Sequence, residues 1–272
     1  MKRKNVFHHL NAVEELLGLI PFGLLTDIDG TVSEIAPSPA EARVSPVCRS
    51  ALERLVGELE LVATISGRAA SEAAAMVGVS GVVYLGNHGL EWLGEDGELN
   101  IRPDVRAYSR QIHDAISEVG SLISLQGIIV EDKGLTASVH YRQSPNPQDG
   151  RDAILEAVAA SPSARGLKTT EGRMVVELRP PVEANKGTAV EWLVRKYNLK
   201  GAVYLGDDLT DVDAFGAVHS LSQSSLFRGL ALAVVSGESP VSLEENADYI
   251  LHGVTEVERF LDWLADRASS RS

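Results

Sequence analysis

Two aspartates separated by a single residue follow an apolar run near the start of the chain. Residues 23–28 read GLLTDI, which is typical of a buried strand, and Asp27 and Asp29 stand at its carboxyl end, before Gly30 and Thr31. Neighbouring carboxylates repel each other unless a cation lies between them, and Mg²⁺ prefers such oxygens. A carboxylate beside Mg²⁺ can attack phosphorus. The spacing therefore predicts a magnesium-dependent phosphoryl site, where Gly30 permits a sharp turn and its backbone amide reaches phosphoryl oxygens.

Two other apolar segments end in polar residues of the same kind. Residues 61–65 precede Ser66-Gly67-Arg68, and residues 202–205 precede Gly206-Asp207-Asp208. Ligands of open parallel sheets bind beyond the carboxyl ends of the strands, so we expect the three clusters to meet at one edge. An isolated Asp-x-Asp-Gly is more often an ordinary turn. The convergence favours a site, with Asp207 as a third carboxylate for Mg²⁺.

Further side chains could hold a phosphate at this edge. The hydroxyl of Ser66 and the ammonium of Lys186 can both contact phosphoryl oxygens. Taken alone, the Ser-Gly-Arg segment is a weak signal, and a lone lysine is more often a solvated surface residue. Asp211 and Asp213 stand near the start of a predicted helix, where the helix dipole alone accounts for acidic residues.

The elements that must position these residues fall into three segments. Strands and helices alternate over 1–102 and again over 182–272, which is typical of a parallel sheet covered on both faces. Between them, 103–181 has a helix followed by two strands, and then the same order again. The sequence therefore predicts an α/β core with an inserted α+β domain.

Two local signals predict how particular elements begin or end. Glu171-Gly172 separates two strand-like segments and predicts a hairpin turn. Thr255, with Glu258 three residues later, predicts a capping box at the start of the last helix.

Composition excludes several classes of protein. The 272 residues are 44% hydrophobic and 23% charged, so a folded globular chain is expected. The net charge of −13 argues against partners such as nucleic acid or an anionic membrane surface. A single cysteine, Cys48, excludes an internal disulfide, and no apolar run approaches the roughly 20 residues of a membrane span. We expect a cytoplasmic protein that acts on a small molecule, and the sequence does not indicate its oligomeric state.

The order of these motifs resembles that of the haloacid dehalogenase-like (HAD) phosphatase superfamily. The matching residues are Asp27-Ile28-Asp29-Gly30-Thr31, Ser66, Lys186 and Gly206-Asp207-Asp208. The resemblance implies a Rossmann-like core with Asp27 as nucleophile and Asp29 as general acid and base. It also implies that the Asp27 side chain, the Asp29 backbone carbonyl and Asp207 hold Mg²⁺, supported by Asp208 and Asp211. The position of the insertion implies a C2-type cap of the C2B class.

A finer resemblance is to the trehalose-6-phosphate phosphatases. It is carried by segments in both the core and the insertion, namely Ile65-Ser66-Gly67-Arg68, Gly86-Asn87-His88-Gly89-Leu90-Glu91, Glu131-Asp132-Lys133, His140-Tyr141-Arg142, Glu177-Leu178-Arg179-Pro180, Lys186-Gly187 and Gly206-Asp207-Asp208-Leu209-Thr210-Asp211. Ile28, Val32 and Val212 depart from that family's usual aromatic, leucine and glutamate. The resemblance implies hydrolysis of trehalose 6-phosphate, with substrate contacts from Gly30, Thr31, Gly67, Arg68, His88, Glu131, Lys133, Arg142, Glu177 and Arg179.

The inserted pairs also have a physical reason to bind sugar. Glu131 and Lys133 are two residues apart on an extended segment, as are Glu177 and Arg179, so each pair points to one face. A disaccharide presents many hydroxyls and needs such polar side chains. Solvated strand faces or cross-strand ion pairs would account for the same spacing.

Other functions remain open at this point. The same chemistry would suit phosphates of sucrose, mannosylglycerate, glucosylglycerate or a hexose. A non-catalytic sugar-phosphate sensor could share the fold, although it need not keep both Asp27 and Asp29. A phosphoacceptor signalling module is disfavoured, because it needs neither the insertion nor the second aspartate.

Overall fold

A computed structural model gives the fold and describes residues 4–94, 96–172, 174–237 and 239–271. The chain divides into two compact units. Met1–Asn100 and Ala184–Ser272 together form the first, here the core unit, and Ile101–Glu183 form the second, the inserted unit. Two segments that are distant in sequence therefore fold together.

The core unit contains one large sheet, and the inserted unit contains a small one. Within the described residues the strands are β1 Lys4–Asn5, β2 Phe22–Thr26, β3 Leu61–Ile65, β4 Val83–Gly86, β5 Glu91–Leu93, β6 Leu99–Ile101, β7 Ile129–Asp132, β8 Ala137–His140, β9 Lys168–Gly172, β10 Val175–Arg179, β11 Gly201–Gly206, β12 Arg228–Val235 and β13 Tyr249–His252. The helices are α1 Leu10–Leu17, α2 Pro46–Val56, α3 Ala70–Val77, α4 Ser109–Leu122, α5 Pro147–Ala160, α6 Lys186–Lys196, α7 Leu209–Ser222, α8 Val241–Asn246 and α9 Gly253–Ser269. None of these helices is long and apolar enough to span a bilayer.

The large sheet is parallel except at one edge. Its strand order is β1-β13-β12-β11-β2-β3-β4-β5-β6. Every neighbouring pair in this spatial order, from β1 as far as β4, is parallel. The parallel sheet predicted from the sequence is therefore confirmed. The pairing turns antiparallel between β4 and β5. The three-residue strands β5 and β6 were not predicted, because such short strands have no alternation to recognise.

The strands that carry the polar clusters are central in this sheet and buried on both faces. Every residue of β2 and β3 is buried. Leu24 packs in one hydrophobic cluster with α2 and α9, and Leu25 packs in another with α6 and α7. Successive side chains of a strand point to opposite faces, so helices cover both faces of the sheet.

The inserted unit has one apolar and one polar sheet face. Its strands are antiparallel in the order β7-β8-β10-β9. Val139 and Val176 pack with Ile112 of α4 and Ile154 of α5 in a separate hydrophobic cluster. Alternation along the strands leaves a second face, here the polar sheet face, which carries the cross-strand neighbours Glu131, Ser138 and Glu177.

Two local predictions are wrong. Glu171 and Gly172 belong to β9, and Gly172 pairs with Val175, so the hairpin turn comes two residues later. Arg173 lies outside the described residues. Helix α9 begins before Thr255, and the carboxylate of Glu256 accepts the His252 N–H at 2.7 Å. The predicted partner Glu258 instead accepts a hydrogen bond from the Ser45 hydroxyl, a contact distant in sequence.

Candidate active site

Asp27 is held at the carboxyl end of β2 by its own backbone. Its N–H donates to the Leu205 carbonyl at 2.8 Å, and its carbonyl accepts from the Thr26 hydroxyl at 2.8 Å. The chain then turns around the carbonyl of Ile28, which accepts three backbone N–H groups, those of Thr31, Val32 and Ser33. The Asp27 side chain is buried at the end of the central strand, at the position where the resemblance predicts a nucleophile.

Gly30 allows two chain segments to approach closely. Its φ is +82°, and a Cβ at this position would lie 2.0 Å from Oδ2 of Asp207. Only glycine leaves room for the Asp207 carboxylate beside the turn. The Gly30 amide donates to the Ser33 carbonyl at 2.7 Å. The expectation that this amide reaches phosphoryl oxygens is therefore wrong, because the turn itself uses the donor.

Lys186 is buried between two carboxylates. It is the first residue of α6, and the side chain of Asn185 caps that helix by accepting the Thr188 N–H. Lys186 Nζ lies 2.9 Å from Asp27 Oδ1 and 2.7 Å from Asp211 Oδ1. Burial alone would lower the pKa of this ammonium, but Asp211 and Asp27 outweigh that effect and raise the pKa above its usual value. Lys186 therefore carries a fixed positive charge beside Asp27.

Asp211 anchors this arrangement. It is fully buried, and its Oδ1 accepts from Lys186 Nζ and from the Tyr204 hydroxyl. Its Oδ2 accepts the backbone N–H groups of Asp207 and Asp208 at 3.2 and 3.0 Å. Both oxygens are thus occupied by protein donors. Asp211 fixes the loop after β11 and orients Lys186.

Tyr204 is a site residue that the sequence analysis missed, because it lies in an apolar strand. The available signal is its spacing: Tyr204 and Gly206 alternate onto the same strand face. A Cβ on Gly206 would lie 2.2 Å from Cγ of Asp211. Asp211 therefore packs against the face of β11 that carries Tyr204 and Gly206.

The carboxylates form a candidate cation site. One oxygen each of Asp27, Asp207 and Asp211 lie within 4.8 Å of one another. Oδ1 of Asp207 is buried and has no hydrogen-bond partner among the described residues. Burial raises the pKa of Asp27 to about 7, opposed by Lys186 and reinforced by Asp211 and Asp29. Burial also raises the pKa of Asp207 to about 9, with Asp27 and Asp211 adding to the effect.

These observations fit a hard divalent cation. Carboxylate oxygens are its preferred ligands, and a bound cation would stabilise the ionised forms that burial disfavours. Asp27 and Asp207 are the carboxylates suited to it, since donors already saturate Asp211. Asp208 is partly exposed and contributes its amide to Asp211, and Asp213 is exposed on α7.

The segment after β3 lies at the same sheet edge. Strands β2 and β3 pair in parallel with Thr26 opposite Thr64, so the chain leaves both strands side by side. Ser66 is buried there, and its hydroxyl accepts the Arg68 N–H at 3.2 Å. The Arg68 guanidinium makes two hydrogen bonds to the carboxylate of Asp29, at 2.7 and 2.8 Å.

His88 lies in a turn with unusual backbone geometry. Asn87, His88 and Gly89 have φ values of 50°, 58° and 93°, all in the left-handed region that costs non-glycine residues energy. Buried Glu91 stabilises the turn by accepting the Asn87 side-chain amide at 3.0 Å and the Ala70 N–H at 2.8 Å. His88 is buried against Gly67, where an added Cβ would lie 3.0 Å from Nε2 of the ring.

The polar sheet face of the inserted unit carries a charged cluster. Lys133 Nζ lies 3.7 Å from both Glu131 Oε2 and Glu177 Oε1. His140 Nε2 lies 2.9 Å from Glu131 Oε2, and the Ser138 hydroxyl donates to Glu177 Oε1 at 3.3 Å. His140 and Ser138 were not among the predicted site residues, although alternation places both on this face.

Two predicted residues lie beside this cluster in sequence. Arg179 ends β10 and is partly buried, and Arg142 is exposed in the turn after β8. The structure thus groups the predicted residues into one set within the core unit and one within the inserted unit.

Comparisons with known proteins identify the family of the chain. A model of the trehalose-phosphatase family matches residues 25–252. A trehalose-phosphate phosphatase of Mycobacterium avium is 36% identical over 198 residues, which are 71% of this chain and 50% of that protein. The chain spans about half the length of the trehalose-phosphate phosphatases it matches.

Solved structures share the fold at low identity. The C-terminal domain of Candida albicans trehalose-6-phosphate phosphatase aligns with a TM-score of 0.78 at 19% identity, covering 97% of this chain and 98% of that one. A haloacid dehalogenase-like hydrolase from Bacteroides thetaiotaomicron aligns with a TM-score of 0.61 at 14% identity, covering 89% and 98%. The fold is therefore that of the HAD-like hydrolases, and the family model, which matches most of the sequence, shows that the chain belongs to the trehalose-phosphatase family.

Proposed function

We propose that this protein hydrolyses trehalose 6-phosphate to trehalose and phosphate, with Mg²⁺ as cofactor. The observation that carries the proposal is the environment of Asp27 in a chain of this family. Its buried carboxylate lies 2.9 Å from the ammonium of Lys186. The same site contains a buried oxygen of Asp207 that accepts no hydrogen bond from the described residues. Such a site suits an anionic phosphate ester and a cation together.

The chemistry proceeds in two displacements at phosphorus. An oxygen of Asp27 forms a bond to phosphorus, and the bond from phosphorus to the sugar oxygen breaks. Asp29 gives its proton to that leaving oxygen, and trehalose departs. A water molecule then attacks the phosphorus of the aspartyl phosphate while Asp29 accepts its proton, which releases phosphate and restores the Asp27 carboxylate.

The charged residues have complementary tasks in this scheme. Lys186 favours the ionised form of Asp27 and counters the charge of the phosphoryl oxygens. The Ser66 hydroxyl is suited to contact the same oxygens. Mg²⁺, when bound, supplies positive charge that neutralises the carboxylates and the ester. The Asp27 and Asp207 side chains and the Asp29 backbone carbonyl would hold it.

We also propose that residues 103–181 act as a C2-type cap of the C2B class. Its polar sheet face would recognise the sugar through Glu131, Lys133 and Glu177, whose carboxylates and ammonium match the many hydroxyls of a disaccharide. Arg142 and Arg179 would add donors at the edges of that face. From the core unit, Thr31, Gly67 and His88 are the further proposed substrate contacts.

A panel of phosphate esters tests the proposal. Phosphate release is measured with trehalose 6-phosphate, sucrose 6-phosphate, glucosylglycerate phosphate and glucose 6-phosphate, with and without EDTA. We expect the highest kcat/KM with trehalose 6-phosphate, loss of release with EDTA, and recovery when Mg²⁺ is added in excess. A higher kcat/KM with another ester would assign a different substrate. Binding without release from any ester would indicate the sugar-phosphate sensor instead.

A further inference from the structure

The proposed general acid and base is held by a buried cation. Arg68 Nε donates to Oδ2 of Asp29 at 2.7 Å, and Nη2 donates to Oδ1 at 2.8 Å. Both carboxylate oxygens therefore accept charge-assisted hydrogen bonds in the planar, bidentate geometry that arginine provides and lysine does not. The Arg68 side chain is 8% exposed and that of Asp29 is 38% exposed. The cation is thus the more firmly enclosed member of the pair.

Arg68 is itself fixed by contacts on its side chain and its backbone. Its Nη1 donates to Oε1 of Glu72, four residues further along the chain in α3, at 2.6 Å. Its backbone N–H donates to the Ser66 hydroxyl at 3.2 Å, and its carbonyl accepts the Asn87 N–H at 2.7 Å. Because the guanidinium is bound at Glu72 as well as at Asp29, it cannot rotate freely with the Asp29 carboxylate. The plane of the guanidinium therefore determines the plane of that carboxylate.

Orientation matters for a group that transfers a proton. A general acid must present its proton toward the leaving oxygen at hydrogen-bond distance, and a displacement of about 1 Å can cost roughly 100-fold in rate. We propose that Arg68, oriented by Glu72, is a positioning residue that fixes the plane of the Asp29 carboxyl group. Each Asp29 oxygen keeps a lone pair that Arg68 does not use, and this lone pair takes the proton of the attacking water in one turnover and gives it to the leaving sugar oxygen in the next. This inference rests on the proposed role of Asp29. It gives Arg68 a task other than contact with phosphate or sugar, and it adds Glu72 to the machinery.

Two esters with different leaving groups separate this task from a structural one. A sugar alkoxide needs a proton as it leaves, whereas p-nitrophenolate leaves readily without one. We would measure kcat for trehalose 6-phosphate and p-nitrophenyl phosphate at saturating Mg²⁺. Arg68→Lys keeps the charge but loses the bidentate geometry, so kcat should fall about 100-fold with the sugar ester and about threefold or less with the aryl ester. Glu72→Gln should show the same selectivity at about tenfold.

Controls keep the test decisive. Glu53→Gln, at an exposed position on α2, should change neither rate. Equal losses with both esters would overturn the inference, since a phosphate contact or a structural role predicts them. A raised KM for the sugar ester with unchanged kcat in Arg68→Lys would also overturn it, because that result indicates contact with the sugar. If Arg68→Lys loses cooperative thermal unfolding, Glu72→Gln decides, because its side chain is 40% exposed and tolerates substitution. The wild-type panel tests the proposed substrate separately, and whichever sugar phosphate it prefers serves as the sugar ester.

Discussion

Replacement of Gly30 by alanine should disable the site with little effect on the fold. Two effects of the added Cβ can be separated. At φ +82° an alanine costs about 1–2 kcal/mol of folding free energy. The Cβ would also lie 2.0 Å from Oδ2 of Asp207, whereas real Cβ contacts are essentially never under 3.0 Å. The Asp207 carboxylate must therefore move by about 1 Å, and a misplacement of that size costs roughly 100-fold in rate.

A matched glycine isolates the steric effect. Gly166 has φ +81°, and nothing lies within 4 Å of its ideal Cβ. We expect Gly166→Ala to lose about 1–2 kcal/mol in urea unfolding and to keep its activity. Gly30→Ala should lose a similar free energy, about 100-fold in kcat/KM, and affinity for Mg²⁺ in a titration of activity. If Gly30→Ala keeps kcat/KM within about threefold of wild type, Asp207 is not the constrained partner inferred from this close approach.

Other perturbations address separate parts of the account. Lys186→Met removes the ammonium that two buried carboxylates share and should lower the free energy of unfolding by about 3–5 kcal/mol at pH 8. Exposed Lys168→Met should change that free energy by about 0.5 kcal/mol or less, and equal changes in urea midpoint would contradict the buried pairing. The pKa values of Asp27 and Asp207 are raised from 3.8 to about 7 and about 9, so the metal-free folded state binds these protons more tightly than the unfolded state does. The stability that these bound protons contribute is therefore lost as pH rises from about 4 toward 9, at up to about 1.4 kcal/mol per pH unit for each proton. Mg²⁺ should then raise the thermal unfolding temperature more at about pH 8 than at about pH 6. A Mg²⁺-induced shift of that temperature that is independent of pH would contradict this expectation. Glu131→Gln should raise KM for trehalose 6-phosphate about tenfold and leave p-nitrophenyl phosphate turnover unchanged; parallel changes with both esters would argue against sugar recognition by the polar sheet face.

Local patterns predicted the parallel sheet, because a strand buried on both faces has a recognisable composition. The segments around Asp27, Ser66 and Asp207 could be placed at one sheet edge on topology alone. The role of Asp211 could not be predicted in this way. An acid near a helix start has a sufficient local explanation, yet here it is fully buried and binds Lys186.

The remaining differences also come from contacts between distant residues. Nothing near Arg68 in sequence indicates that its guanidinium binds Asp29, thirty-nine positions away. Tyr204 lies in an apolar strand segment, and the contact of its hydroxyl with Asp211 exists only in the folded chain. The Gly30 amide was assigned to phosphate because the sequence does not indicate that the Ser33 carbonyl already accepts it.

The central claim is that Asp27 attacks phosphorus, and Asp27→Asn tests it most directly. The measurement is phosphate release from trehalose 6-phosphate at saturating Mg²⁺, together with acid-quenched trapping of phosphate on the protein. Asp114→Asn, at an exposed position on α4, serves as the matched control. The account predicts that wild type and the control release phosphate and carry trapped phosphate on the peptide that contains Asp27. It predicts that Asp27→Asn does neither while unfolding as cooperatively as wild type, and near-normal turnover in that variant would contradict it.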